Sequence, residues 1–261
     1  MFNDKPYEAV NREERFYCAL FAHALLSSAA VRRAFSDLVT RRCGLALGTS
    51  DLRVFLEAAA LRDYWNDLGD PREYSDATHT RRREVLRALL RVVGLDEDLP
   101  DEHDFFWTAG ARKPGSKVWS PGRWNLPTNG GSDLPGSTRD TLRQLKWAFN
   151  AKPDILLASS DAVLLVEAKV ESGEGVYDDS DEGRQFATQR LIASVLVRMV
   201  PAFYAMQIRT ATLGLADARE TVVSGDASPH FSWDEVAACC DTPEVDGFTQ
   251  RCFASLRRYR A

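Results

Sequence analysis

The sequence predicts an α/β domain: a central mixed sheet flanked by helices, with a helical N-terminal third. Three observations predict it. Helical periodicity dominates the first hundred residues, two runs of branched residues and leucine stand side by side at 154–170, and helical periodicity returns at 184–199 and again near the C-terminus. A length of 261 residues suits one elaborated domain over 1–261. Within it, 10–100 reads as the helical part, 105–215 as the core and 230–261 as closing helices.

From Asn11, the stretch NREERFYCALFAHALLSSAAVRRAFSDL sets Phe16, Leu20, His23 or Ala24 and Ser27 on one stripe, with acids at its start where the helix dipole favours them. One long N-terminal helix is expected. Residues 51–68 repeat the period behind an Asp or Ser cap, and 78–93 repeat it again, stopped by Gly94. Phe105-Phe106-Trp107-Thr108 then reads as a short strand opening a long loop or irregular hairpin to 137, rich in Gly, Pro, Asn and Ser. A helix of about three turns follows over 138–149.

Residues 154–170, DILLASSDAVLLVEAKV, are apolar on both faces around Ser-Ser-Asp and read as two central strands paired as a hairpin. An acidic loop at 171–183, a helix over 184–199, a strand within 202–215 and two closing helices complete the order. The FSWDEV segment reads as a strand-to-helix passage.

Composition narrows the function classes. Hydrophobic residues make up 44% and charged residues 27%, which excludes disordered, collagenous and disulfide-scaffold chains. Five cysteines with no C-x-x-C spacing, and no apolar signal core, make a reducing cytoplasm the expected compartment. The apolar stretch 17–31 is too short to span a bilayer, so no membrane partner is expected. Net charge is −5, yet eight cations face two acids between Arg112 and Lys152. Arg112, Lys113, Lys117 and Arg123, interleaved with Trp119 and Trp124, are thus candidate nucleic-acid contacts, with Lys152 a further phosphate contact. The tryptophans fit equally well as cover for a core edge. No Walker sequence occurs, and the four histidines lack metal-ligand spacing.

A two-residue turn at Ser160-Asp161 makes pairing positions sum to 321, which sets Asp154 opposite Glu167 with Cβ atoms ~5 Å apart. Alternation then puts Lys169 on Glu167's face and Ala168 on the other. Two carboxylates and a cation bordering apolar strands need compensation, and a divalent ion supplies it.

Pro153-Asp154 followed by Glu167-Ala168-Lys169 resembles the signature of the PD-(D/E)xK nuclease superfamily, the restriction-endonuclease-like fold. The resemblance follows element order over roughly 10–260 and motif detail over 153–189; the long insertion before Pro153 departs from it. That family's first helix often carries an acid, a place Glu13 fits in ExxFxxAL, with Glu14 and Glu57 as alternatives. A glutamine often follows the lysine strand, a place Gln185 fits, with Gln189 one turn on. What the resemblance implies is Mg²⁺-dependent (or Mn²⁺-dependent) phosphodiester hydrolysis, with Asp154, Glu167 and the Ala168 carbonyl as ligands and Lys169 beside the phosphate or water. Hard oxygen donors suit these ions rather than zinc. The expected setting is DNA cleavage in restriction or phage defence, by a homodimer or with an activating partner protein. RNA remains an open substrate, and a catalytically inactive module of the same fold or a helical adaptor are the competing readings.

Overall fold

The computed structural model describes residues 13–70, 75–108, 117–126, 133–170, 181–214, 222–223, 226–227 and 229–256, with backbone alone for 181–186, 222–223 and 226–227. They form an α/β structure with a five-stranded mixed sheet and, among the described residues, eight α-helices. No helix among them is long and apolar enough to cross a membrane. The described residues fall into two compact units, one from 1–58, 153–184 and 206–261, the other from 59–152 and 185–205.

The first unit opens with α1 (Glu14–Ser27) and α2 (Ala29–Cys43), not one long helix. Ser28 makes the break: its backbone is extended and its hydroxyl caps α2 by accepting from the Val31 N–H at 3.1 Å. The same hydroxyl donates to Glu244 at 2.7 Å. The buried stripe of α1 is also rotated from the predicted one, running through Tyr17, Cys18, Phe21, Ala24 and Leu25, while His23 is exposed.

The segment Arg53–Leu56, expected in a helix, is strand β1. Tertiary pairing overrides its helical period, because β2 (Ile155–Ala158) would otherwise present an open edge. β2 pairs antiparallel with β3 (Ala162–Ala168), which pairs parallel with β4 (Gln207–Gly214). A short ribbon, β5 (Val222–Val223) with β6 (Asp226–Ala227), precedes β7 (His230–Ser232), which adds in parallel to β4. The sheet order is β1-β2-β3-β4-β7. The β2–β3 register sums to 321, as the two-residue turn predicts. Ser160-Asp161 is not the Asn-Gly type that such turns favour. Asp51 holds it, accepting from the Ser160 N–H at 2.6 Å and from its hydroxyl.

Ile155, Leu157, Leu164, Val166 and Ala168 face a core shared with α1, α2, α7 (Trp233–Cys239) and α8 (Gly247–Leu256). Its rings interlock: Phe21 meets Phe35 edge-on at 4.8 Å and Trp233 stacks on Phe253 at 6.2 Å. Leu156, Ala158, Val163 and Leu165, on the opposite face by alternation, are buried as well. Both faces of the hairpin are therefore apolar, as its sequence predicts.

The second unit holds α3 (Ala60–Asp67), α4 (Asp76–Val92), α5 (Gly136–Asn150) and α6 (Asp181–Met199) from Gln185 onward. Ser75 caps α4, and Gly94 follows its end with a φ of 70°, a left-handed conformation glycine adopts at little cost. The expected strand at 105–108 is a single 3-10 turn over Asp104–Phe106, followed by one bridge from Trp107 to Val118. Phe105 and Phe106 are drawn instead into an aromatic cluster with Trp124.

Candidate active site

One lateral row of polar residues crosses the sheet at the C-terminal end of β3. Continuing the hairpin register by one step sets Asp154 opposite Glu167, and the parallel ladders carry the row on from Glu167 to Thr212 and from Thr212 to His230. The Thr212 hydroxyl and His230 Nδ1 are hydrogen-bonded at 2.7 Å. On the other side, the Glu57 N–H donates to the Asp154 carbonyl at 3.2 Å. Gly214 keeps the His230 end open, since a Cβ there would lie 3.2 Å from the ring.

Lys169 lies just past β3 and is pinned through its backbone. Its N–H donates to Leu213 at 2.7 Å, and its carbonyl accepts from the Trp233 indole at 2.8 Å. Trp233 is held at the start of α7 by a capping box between Ser232 and Glu235. With the backbone so fixed, the ammonium lies 3.1 Å from Glu167 Oε1 and 3.7 Å from Glu14 Oε1, on the first turn of α1. Asp154 Oδ2 accepts from the Ala168 N–H at 2.7 Å.

Three carboxylates thus surround one cation in a setting with little water; the Glu167 side chain is only 13% exposed. Burial, reinforced by repulsion from Asp154, pushes the Glu167 carboxyl up to about 7 against the pull of Lys169. Burial likewise raises Asp154, despite the Ala168 N–H and Lys169, and raises Glu14. Burial alone would lower Lys169, but Glu167, Glu14 and Asp154 together outweigh it and hold the ammonium above the ordinary lysine range. A cleft of about 290 Å³ beside Asp154 is lined also by Arg15, Cys18, Leu56 and Glu57, with Arg15 and Glu57 ion-paired. Burial raises the Cys18 thiol strongly, with Asp154 adding to the shift, so it is no nucleophile.

The chain matches no family model, no curated protein and no solved structure.

Its site is therefore read from its own residues. Asp154, Glu167 and Lys169 come together around the paired strands, and Ala168 meets them through its N–H. Glu13 does not join them: it is exposed at the N-cap, and Glu14, one residue or about 100° further round the helix, is the acid beside Lys169. Gln185 lies on α6 with its side chain outside the described residues, and Gln189 is buried on the same helix. Both belong to the second unit, as do exposed Lys152 and Arg123 and half-buried Lys117. Arg112 and Lys113 lie outside the described residues. Trp124 is buried, and the Trp119 indole donates to the Trp107 carbonyl at 2.5 Å, so these rings serve the second unit's packing. Residues without a sequence signal also join the row: Thr212 and His230 are aligned by strand pairing alone, while Glu57, an alternative acid in the sequence, reaches Asp154 from the end of β1 and not from a helix.

Among the described residues, no three Asp, Glu, His or Cys side chains are gathered into an ion cage. The donor chemistry at Asp154 and Glu167 nevertheless suits Mg²⁺, which takes one or two carboxylates and completes its shell with water and substrate phosphate. The raised carboxyl pKa values follow from burial, with repulsion from Asp154 at Glu167, which Lys169 only partly offsets.

Proposed function

We propose that the chain is a metal-dependent phosphodiesterase of the PD-(D/E)xK kind, with a restriction-endonuclease-like core, that cleaves DNA. The observation carrying this reading is the opposition of Asp154 and Glu167 across the hairpin with Lys169 held 3.1 Å from Glu167. Asp154, Glu167 and the Ala168 carbonyl would hold Mg²⁺ or Mn²⁺. When bound, the ion supplies Lewis-acid polarisation of a phosphoryl oxygen and a lowered pKa for an attacking water.

The residues of the chain do the rest. The Lys169 ammonium stays protonated and orients the water or offsets the negative charge on the phosphoryl oxygens as the new P–O bond forms and the bond to the leaving oxygen breaks. Glu14 and the Trp233 indole position Lys169 from its side-chain and backbone ends. Asp154 and Glu167 place negative charge where the ion is needed, and the buried hairpin beneath them keeps the pair in register. Restriction or phage defence is the proposed setting, with a homodimer supplying one site per strand.

The test incubates the protein with linear and circular duplex DNA, single-stranded DNA and RNA in Mg²⁺, Mn²⁺ or EDTA, beside Asp154→Ala and Lys169→Ala. Cleavage that requires metal and is lost in both folded variants is expected. The alternative is an inactive nucleic-acid-binding module. Binding of DNA without cleavage in any metal would select it.

A further inference from the structure

The second unit contains a pocket of about 320 Å³ whose lining includes Arg62, Arg82, Lys117 and Arg123 and, among the described residues, no carboxylate. All its lining residues belong to that unit. The walls are prebuilt. The Thr108 N–H donates to the Lys117 carbonyl at 3.2 Å, the Trp119 N–H to Phe106 at 2.7 Å, and the Asn150 amide to Gly122 at 2.9 Å. Arg82 is only 5% exposed. Its guanidinium lies 5.5 Å over the Trp65 ring and donates to the Gly69 carbonyl at 3.1 Å.

An arginine side chain carries its charge at any working pH, so its burial in this wall fixes positive potential inside the pocket. Lys117 and Arg123 add two more cations on the same lining, and half-buried Trp119 adds an apolar side. Several converging donors suit a dianion better than a single carboxylate, and a phosphate monoester carries about −1.5 to −2 near neutral pH with three acceptor oxygens. The volume is at the small end of ligand pockets, fitting one nucleotide rather than the body of a duplex. We infer that this pocket binds a phosphate monoester, the phosphoryl group seated on Arg82, Lys117 and Arg123 and its organic part against Trp119. The phosphoryl group comes from a free nucleotide or from the 5′ end of a strand. This site does not depend on the nuclease reading.

The test titrates the full chain by calorimetry, at low salt in EDTA, with adenosine 5′-monophosphate and with a single-stranded oligonucleotide carrying either a 5′-phosphate or a 5′-hydroxyl. Saturable binding of the mononucleotide assigns the free nucleotide, and binding of the 5′-phosphorylated strand alone assigns the strand end; either supports the site. A Lys117→Gln, Arg123→Gln double variant, with folding checked by its melting curve, is expected to bind about tenfold or more weakly. Three results would overturn the inference: no saturable binding of either phosphate, equal binding of the 5′-hydroxyl strand, or unchanged affinity in the folded double variant. The comparison of strand ends uses the unaltered protein, so it decides even if the double variant fails to fold.

Discussion

The Lys169 ammonium lies 3.1 Å from a carboxylate oxygen of Glu167, two residues back along the chain near the end of β3. It is the cation that lets Glu167, Asp154 and Glu14 coexist with so little solvent. Lys169→Met should therefore cost about 1–3 kcal/mol at about pH 8, where the carboxyls ionise, and much less at about pH 5. Urea unfolding at both pH values measures this, and equal losses would show that only packing was removed.

The Glu167 carboxyl is held at about 7, against an ordinary value of 4.5. Between these values the folded chain binds more protons than the unfolded one, so this group's stabilising contribution is complete below the unfolded value and is lost as pH rises through the folded value. Asp154 and Glu14 act with the same sign, while Lys169, raised above 10.5, does not itself titrate in this window. Glu167 alone should lower stability by about 3 kcal/mol across it, to which Asp154 and Glu14 add in the same direction. If Asp154 and Glu167 bind Mg²⁺ as proposed, saturating Mg²⁺ should raise the Tm at about pH 8 far more than at about pH 5, since it competes with those protons. In Glu167→Gln the slope should fall by the Glu167 share, leaving that of Asp154 and Glu14; an unchanged slope would assign it elsewhere.

Glu14, not Glu13, touches Lys169. If the chain cleaves DNA as proposed, Glu14→Gln should slow cleavage by about tenfold through loss of Lys169 positioning, while Glu13→Gln should stay within about twofold of the parent. Single-turnover rates at saturating DNA distinguish the two, and equal effects would remove Glu14 from the site.

Glu57 follows β1 directly and lies in the left-handed region, with a φ of 48° beside Asp154. Glycine accepts that conformation and alanine does not. Glu57→Gly should therefore be more stable than Glu57→Ala by about 1 kcal/mol, the reverse of their usual order. Paired thermal melts provide the comparison; the usual order would show that the chain relaxes to a negative φ.

Ser28 caps α2 and donates to Glu244 near the other end of the chain. Ser28→Ala should cost about 1–2 kcal/mol. A change of under about 0.3 kcal/mol in denaturant unfolding would show that water replaces both bonds.

Much of the sheet's centre was legible in the sequence because its information is local. The 154–170 hairpin announces itself by apolar runs on both sides of a short turn, and a turn length sets a register arithmetically. Asp154, Glu167 and Lys169 follow from that register and from side-chain alternation. β1 was not legible, since Arg53–Leu56 carries a helical period and becomes a strand only because β2 has an edge to fill. The break at Ser28 was hidden for a related reason: a serine inside a long apolar period becomes a cap once Glu244, 216 residues away in sequence, accepts its hydroxyl proton.

By itself the sequence determined the α/β class, the central hairpin and the pairing of two carboxylates with a lysine, because strand period and turn length act over a few residues. Tertiary structure alone decided that Glu14 is the helix acid, that Thr212 and His230 extend the row, and that Trp233 locks the lysine backbone. Parallel strand pairing and helix rotation bring together residues 18 to 155 positions apart, and only the packed core selects among the rotations and partners that local spacing leaves equal.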